Sequence, residues 1–249
     1  MRTFTELCHA IKSLEIQGAQ HVALAGLHAY KLKPDVKTIL SLRPTEPLLQ
    51  RAIKYAKKYG VLKAEQHITS AEQAIERLAF RKVKKKMFAV HSNTVMAALT
   101  YAHGRGKKIE VYCTETRPVY QGRTLAMHLA KHKIKVTQYV DLAIWIAIKQ
   151  SQVVFLGADA ILKRGKKIKG VVNKIGSYNI GMLAKQFKKP VYILADSWKA
   201  VSSIPIEQRD PKEVWDTEIK SIKIENPAFD VLPAKYITAI ITEEGIHKL

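Results

Sequence analysis

Cysteine is scarce in this sequence. Cys8 and Cys113 are the only two, too few for a disulfide framework and without the spacing of a metal site. No metal is expected, and a reducing, cytoplasmic compartment is the simplest setting. Long hydrophobic runs are missing too: nothing approaches the roughly 18–20 apolar residues of a membrane helix. The opening MRTFTELCHAIKSLEIQG is amphipathic and charged throughout, unlike a secretory leader. Acidic residues are in short supply. Asp and Glu number 21 against 42 Lys and Arg, for a net charge of +21. That excess favours anionic ligands and leaves contact with nucleic acid open. Its densest stretches, 81–86, 131–135 and 163–169, read as solvated faces. The aromatic interleaving of a single-strand-binding surface is absent, so charge alone makes no case for RNA. Internal repeats and low-complexity segments are also lacking.

Two textures follow one another along the chain. Up to about residue 86, apolar residues recur at helical steps. Between Phe4 and Tyr30 they are Leu7, Ile11, Leu14, Ile16, Val22, Leu24 and Leu27, with a break near Gly18. A second helix is expected from Pro44 to Gly60, and a third over 70–85 with Ser70 as its N-cap and Glu72 in the first turn. Beyond residue 86, short runs rich in Val and Ile lie at 87–90, 109–113, 136–140, 153–156 and 191–195. Helical stretches separate most of them, at 94–103, 124–131, 142–149 and 178–187, and two more extended runs close the chain. Strands apolar on both faces, alternating with helices, predict a parallel sheet covered on both sides. The expectation is an α/β protein: a small helical N-terminal domain, residues 1–86, followed by a doubly wound, Rossmann-like domain, residues 87–249.

Ligands of such sheets bind beyond the carboxyl ends of the strands. The five runs are followed there by His91, Ser92, Asn93 and Thr94, by Thr114 to Pro118 with Arg117, by Asp141, by Gly157, Ala158 and Asp159, and by Asp196 to Lys199. Each loop alone means little. Their convergence on one rim marks a candidate site. Asp159 ends the apolar run VVFLGAD; partial desolvation would raise its pKa and suit it to acid–base work, and a helix cap or a structural ion pair is the other reading. Asn173, Lys174, Ile175, Gly176 and Ser177 precede a helix whose N-terminal backbone donors would cradle a phosphate. Arg43, before Pro44, is either a second anion contact or an ordinary exposed arginine. Cys113 reads as a small core residue.

At these residues the sequence resembles a family that unites methylthioribose-1-phosphate isomerase, archaeal ribose-1,5-bisphosphate isomerase and the α, β and δ subunits of translation initiation factor 2B. The matching stretches include LRPT at 42–45, VHSNT at 90–94, TETRPVYQG at 114–122, LGADAILKRG at 156–165, NKIGSY at 173–178, ADSWK at 195–199 and NPAFDV at 226–231. They run in order over nearly the whole chain. The TETRP, RDP (209–211) and NPAFDV elements look most like the ribose-bisphosphate isomerases. The resemblance implies that Asp159 is the catalytic aspartate, that Asn173, Lys174 and Lys199 contact substrate, and that Arg43 holds phosphate; Asn93 and Arg117 on the same rim, and Gln17, Gly18 and Ala19, are further candidates for binding the substrate or its phosphate. It implies a phosphorylated sugar or nucleotide as ligand, no cofactor, and a homodimer or a hexamer of dimers, with contact to initiation factor 2 conceivable for the factor branch. The isomerases turn an aldose 1-phosphate into a ketose, a cysteine and the aspartate sharing the acid–base work.

The chain departs from that pattern in the site. The catalytic cysteine falls at Ser92, whose hydroxyl titrates far above a thiol's roughly 8.5. An arginine-glycine-alanine of the isomerases is Gln17, Gly18 and Ala19, and the usual phenylalanine and histidine after Lys199 are Ala200 and Val201. These losses favour a regulatory, non-catalytic protein of the initiation-factor-2B type with a sugar-phosphate or nucleotide pocket. The alternative is an aldose–ketose isomerase acting on ribose 1,5-bisphosphate or a related sugar 1-phosphate.

Overall fold

The structure is a computed structural model that describes residues 2–13 and 15–249. Leu14, one of the apolar positions of the first helical pattern, lies outside the described residues. The N-terminal part is helical: α1 (Phe4–Lys12), α2 (Ala19–Leu32), α3 (Val36–Leu42), α4 (Pro47–Tyr59) and α5 (Val61–Phe80). Thr3 caps α1 in a capping box with Glu6, and Gly18, at φ 84°, makes the break before α2. Leu7, Ile11, Val22, Leu27, Leu48, Leu49 and Ile53 interlock as one buried cluster. Two boundaries differ from expectation. Pro44 lies in the turn before α4, which starts at Pro47. Ser70 caps nothing: α5 begins nine residues earlier, straight after Gly60 at φ 94°, and the Ser70 hydroxyl donates to the His67 carbonyl inside it.

From β1 (Lys86–Ala89) onward, strands and helices alternate: α6 (Asn93–Gly104), β2 (Glu110–Thr114), α7 (Gln121–Lys131), β3 (Lys135–Tyr139), α8 (Ile144–Gln150) and β4 (Val153–Leu156). A hairpin of β5 (Ala160–Arg164) and β6 (Lys167–Lys174) interrupts the pattern before α9 (Ser177–Gln186) and β7 (Val191–Leu194). The remaining strands are β8 (Ala200–Val201), β9 (Phe229–Pro233), β10 (Ala239–Thr242) and β11 (Gly245–Lys248). The main sheet has seven strands in the order β11-β10-β7-β4-β1-β2-β3, all parallel except β11. Met87 and Ala89 of β1 pack beneath α5, α6 and α7, while Phe88 faces α8 and α9. That alternation buries both faces, as the sequence predicts for a doubly wound sheet. Strands β8, β5, β6 and β9 form a second, smaller sheet that the sequence reading lacks.

Helix α5 joins the two parts. Ala64 and Ile68 belong to the helical cluster, and Ile75 and Ala79, on the same helix, belong to the core over the sheet. The chain order reverses between β1, which leads outward to β2 and β3, and β4, which leads the other way to β7 and β10. A crevice at the strand ends is expected at such a switch point, and α2 and the turn before α4 close over it.

Candidate active site

Ser92 follows β1 and Gly157 follows β4, so the two meet across the switch point. A Cβ built on Gly157 would come within 2.6 Å of the Ser92 hydroxyl oxygen, so only glycine allows this approach. Ser92 is the N-cap of α6 but makes no cap hydrogen bond. Its hydroxyl sits against Gly157 and near Asn173. On the opposite wall, a Cβ on Gly18 would meet the Asn93 amide at 2.6 Å. The positive φ of Gly18 and this contact both exclude a larger residue.

Between these walls lies a cavity of about 170 Å³. Of the residues singled out from the sequence, Gln17, Gly18, Ala19, Arg43, Ser92, Asn93, Asp159, Asn173, Lys174 and Lys199 all line it. Arg117 does not. It is exposed, and its guanidinium donates to the Tyr120 hydroxyl and to the Val214 carbonyl, at 2.8 Å each. Asp141, placed on the rim from the sequence, instead accepts the backbone N–H groups of Thr116 and Arg117, which fixes that loop.

The phosphate cradle expected at the start of α9 is not available. The Asp230 carboxylate occupies it, accepting from the Gly176 N–H at 2.8 Å and from the Tyr178 N–H at 3.1 Å. Asn173 donates to the Ser177 hydroxyl at 2.9 Å, which itself donates to the Lys174 carbonyl. That chain of bonds orients the Asn173 and Lys174 side chains toward the cleft. The cations of the cleft are therefore side chains, not backbone donors.

Lys199 is only 7% exposed and donates to the Ala158 carbonyl at 2.7 Å, next to Asp159. Among the described residues neither Lys199 nor Lys174 has a carboxylate within 4.0 Å. A buried ammonium without a paired anion is costly, and an anionic ligand would relieve that cost. The segment carrying Lys199 is held by a clasp: the His67 ring of α5 stacks on Trp198 at 3.7 Å and approaches the Asp196 carboxylate at 3.3 Å. Asp196 in turn caps Trp198 N–H, and Glu243 accepts from Ser197 N–H.

Two buried acids of the cleft are displaced upward. Burial pushes the Asp159 carboxyl above its ordinary value, against the pull of Lys199, Arg43 and Lys174. Glu46, Glu207 and Arg209 also line the cavity, and sequence reading passed over all three as site residues. Burial and the nearby Asp159 charge raise Glu46 to about 7. Arg209 is engaged with Glu213 and Glu207. His91, at the rim, is pushed below its ordinary value by burial and by His128 and His21. The Cys113 thiol, buried under the sheet, is driven up to about 12 and has no nucleophilic character at neutral pH.

Residues 6–248 match the sequence profile of the initiation factor 2 subunit family. The chain belongs to this family. Within reach of it stands ribose 1,5-bisphosphate isomerase of Methanocaldococcus jannaschii, 34% identical over 286 aligned positions that cover 99% of this chain and 92% of that protein. Methylthioribose-1-phosphate isomerase of Koribacter versatilis is 41% identical over a shorter stretch, 62% of this chain and 47% of its own. Among solved structures, a translation initiation factor eIF-2B of Pyrococcus horikoshii superposes with a TM-score of 0.86, covering 98% of this chain and 96% of its own at 23% identity. That likeness speaks to the shared fold. No described helix is long and apolar enough to cross a membrane.

Proposed function

We propose that this chain is an aldose–ketose isomerase whose substrate is a ribose carrying a phosphate on C1, ribose 1,5-bisphosphate being the first candidate. The observation that carries the reading is the mixture in one cleft of two lysines without a paired carboxylate, Lys199 buried and Lys174 half-buried, and an aspartate whose carboxyl burial pushes above its ordinary value. Lys174 and Lys199 suit a phosphate dianion; Asp159, displaced upward by burial, suits a proton carrier working near neutrality. Similarity to ribose 1,5-bisphosphate isomerases over nearly the whole chain supports the same choice. It shifts the balance from the regulatory reading, which Ser92 favours, to catalysis.

A sugar phosphorylated on C1 has no free aldehyde. Forming its ketose requires a proton for the ring oxygen as the C1–O4 bond breaks, and removal of the proton on O2 as the C2 ketone forms. Between those steps a hydrogen passes from C2 to C1. The protein must therefore give one proton and take one, and Asp159 is placed to carry a proton in this exchange. Asn173 is within reach to orient a hydroxyl, and Lys199 to hold charge near Asp159. The test is conversion of ribose 1,5-bisphosphate to ribulose 1,5-bisphosphate by the purified protein. Binding without conversion would return the chain to the regulatory reading.

Copies of the chain are inferred to associate. Val140, Leu142 and Trp145, just past the edge strand β3, are 60%, 92% and 48% exposed. Such a patch at a sheet edge is what self-association would cover. Light scattering that gives the mass of a single chain would refute it.

A further inference from the structure

Glu46 stands at the N-cap of α4, where an acidic side chain ordinarily accepts N–H groups of its own helix. It makes no such bond. At the equivalent positions Thr3, Asp35, Asp196 and Asp210 do cap their helices. The Glu46 side chain turns into the cleft instead. One of its oxygens, Oε1, accepts from Arg43 at 2.9 Å. The other, Oε2, is buried and has no hydrogen-bond partner among the described residues. In the Arg209–Glu213 pair at the same cleft both carboxylate oxygens engage the guanidinium fork, whereas Glu46 leaves one of its own free. Leaving a buried carboxylate oxygen unpartnered is costly, and Glu46 lines the cavity that also holds Asp159.

We propose that Glu46 is the second acid–base group of this site, paired with Asp159 and doing the proton work for which Ser92 has no suitable group. The inference rests on the isomerase reading. Glu46 and Asp159 line the same cavity, and the Asp159 charge helps to hold the Glu46 carboxyl above its ordinary value, so one carboxyl of the pair can carry a proton while the other is ionised. The protonated carboxyl gives its proton to O4 as the C1–O4 bond breaks and its electron pair stays on O4. The resulting electron deficiency at C1 is shared by the oxygen that bears the phosphate. The C2 hydrogen moves to C1 with its electron pair, reducing C1 and oxidising C2 within the same sugar. The ionised carboxyl takes the O2 proton as the C2 ketone forms. One proton leaves the pair and one returns, so no oxidant, reductant or metal enters the balance.

The test compares the wild type with Glu46→Gln and Glu46→Asp, assayed on ribose 1,5-bisphosphate between about pH 5 and pH 9 by phosphorus NMR. Calorimetric binding of the same compound and circular dichroism run alongside. The wild type is expected to give a bell-shaped profile. Glu46→Gln should bind the bisphosphate at least as well, since a negative charge has left the cleft. Its kcat should fall at least ~10²-fold with KM nearly unchanged, and the bell should lose one limb. Glu46→Asp should keep both limbs at reduced kcat, and it serves as the readout if the glutamine variant does not fold. A Glu46→Gln enzyme within about threefold of wild-type kcat with the bell intact would overturn the role of Glu46 and leave the isomerase reading standing. A wild type that binds the bisphosphate but converts none would overturn both.

Discussion

Burying one carboxyl beside another has a measurable consequence apart from catalysis. Glu46 titrates at about 7 in the folded protein against an ordinary 4.5, so the folded state holds its proton more tightly than the unfolded chain. Its contribution to stability is complete below about 4.5 and is lost as pH rises through about 7. Glutamine cannot ionise. The melting temperature of Glu46→Gln should therefore gain on the wild type between about pH 5 and pH 8, by a few degrees for a chain of this size; a gap independent of pH would show that Glu46 is not displaced. A thiol offers a second test at the same scale. In the Glu46→Gln background, Ser92→Cys should restore at least ~tenfold of the lost kcat, because a thiol can carry a proton where a hydroxyl cannot. No recovery would place residue 92 out of reach of the reacting sugar. Asp159 and Lys199 were legible in the sequence because they follow apolar strands, where topology fixes their position; Asn173 and Lys174 were picked out as a phosphate loop before a helix, and they line the cleft from the end of β6 instead. Glu46 was not, because a helix expected to open at Pro44 puts an acid at 46 in its first turn, an ordinary place for one. Ser92 drew the expectation toward a non-catalytic protein by showing what the site lacks and not what replaces it.

Whole elements carry the next set of differences between sequence and structure. The five apolar strands of the main sheet emerge where their runs predict them; for β1, β2, β4 and β7 this is because a strand buried on both faces needs such a run, while β3, at the edge, is only half-buried. The β5/β6 hairpin does not announce itself this way. Its outer half is the basic stretch 163–169, whose exposed lysines read as a solvated face. Ile161 and Val171 join the core, Ile168 packs against it, and Ala160 and Val172 are buried beside them. The same blindness applies to the start of α9. Asn173 to Ser177 has the look of a phosphate loop, but the partner of its backbone donors, Asp230, is more than fifty residues away in sequence. Removing that partner should show what it does. Asp230→Ala should cost about 1–2 kcal/mol, seen as a lower urea midpoint, since it uncaps α9. It should also raise the KM for a phosphorylated sugar by loosening Asn173 and Lys174. An unaltered urea midpoint would mean that water replaces the carboxylate at no cost.

For the molecule as a whole, the net charge of +21 sets a field that favours anions before any contact is made. Within the cleft, however, Arg43 and Arg209 are already engaged by Glu46, Glu207 and Glu213. Capture of a bisphosphate then falls to Lys174 and Lys199, aided by the surrounding surface. Its affinity should weaken steadily between low salt and about 0.5 M as the screening length shrinks, and binding that ignores salt would argue against a phosphate ligand. The isomerase reading joins these scales: a doubly wound sheet supplies the crevice, the helical part brings Glu46 and Arg43 to it, and the strand ends supply Asp159, Asn173, Lys174 and Lys199. The most direct test is a phosphorus NMR time course of ribose 1,5-bisphosphate with purified wild-type protein and with Asp159→Asn. Catalysis through Asp159 predicts ribulose 1,5-bisphosphate from the wild type and a rate at least ~10²-fold lower from the variant; equal rates, or no product from the wild type, would contradict it.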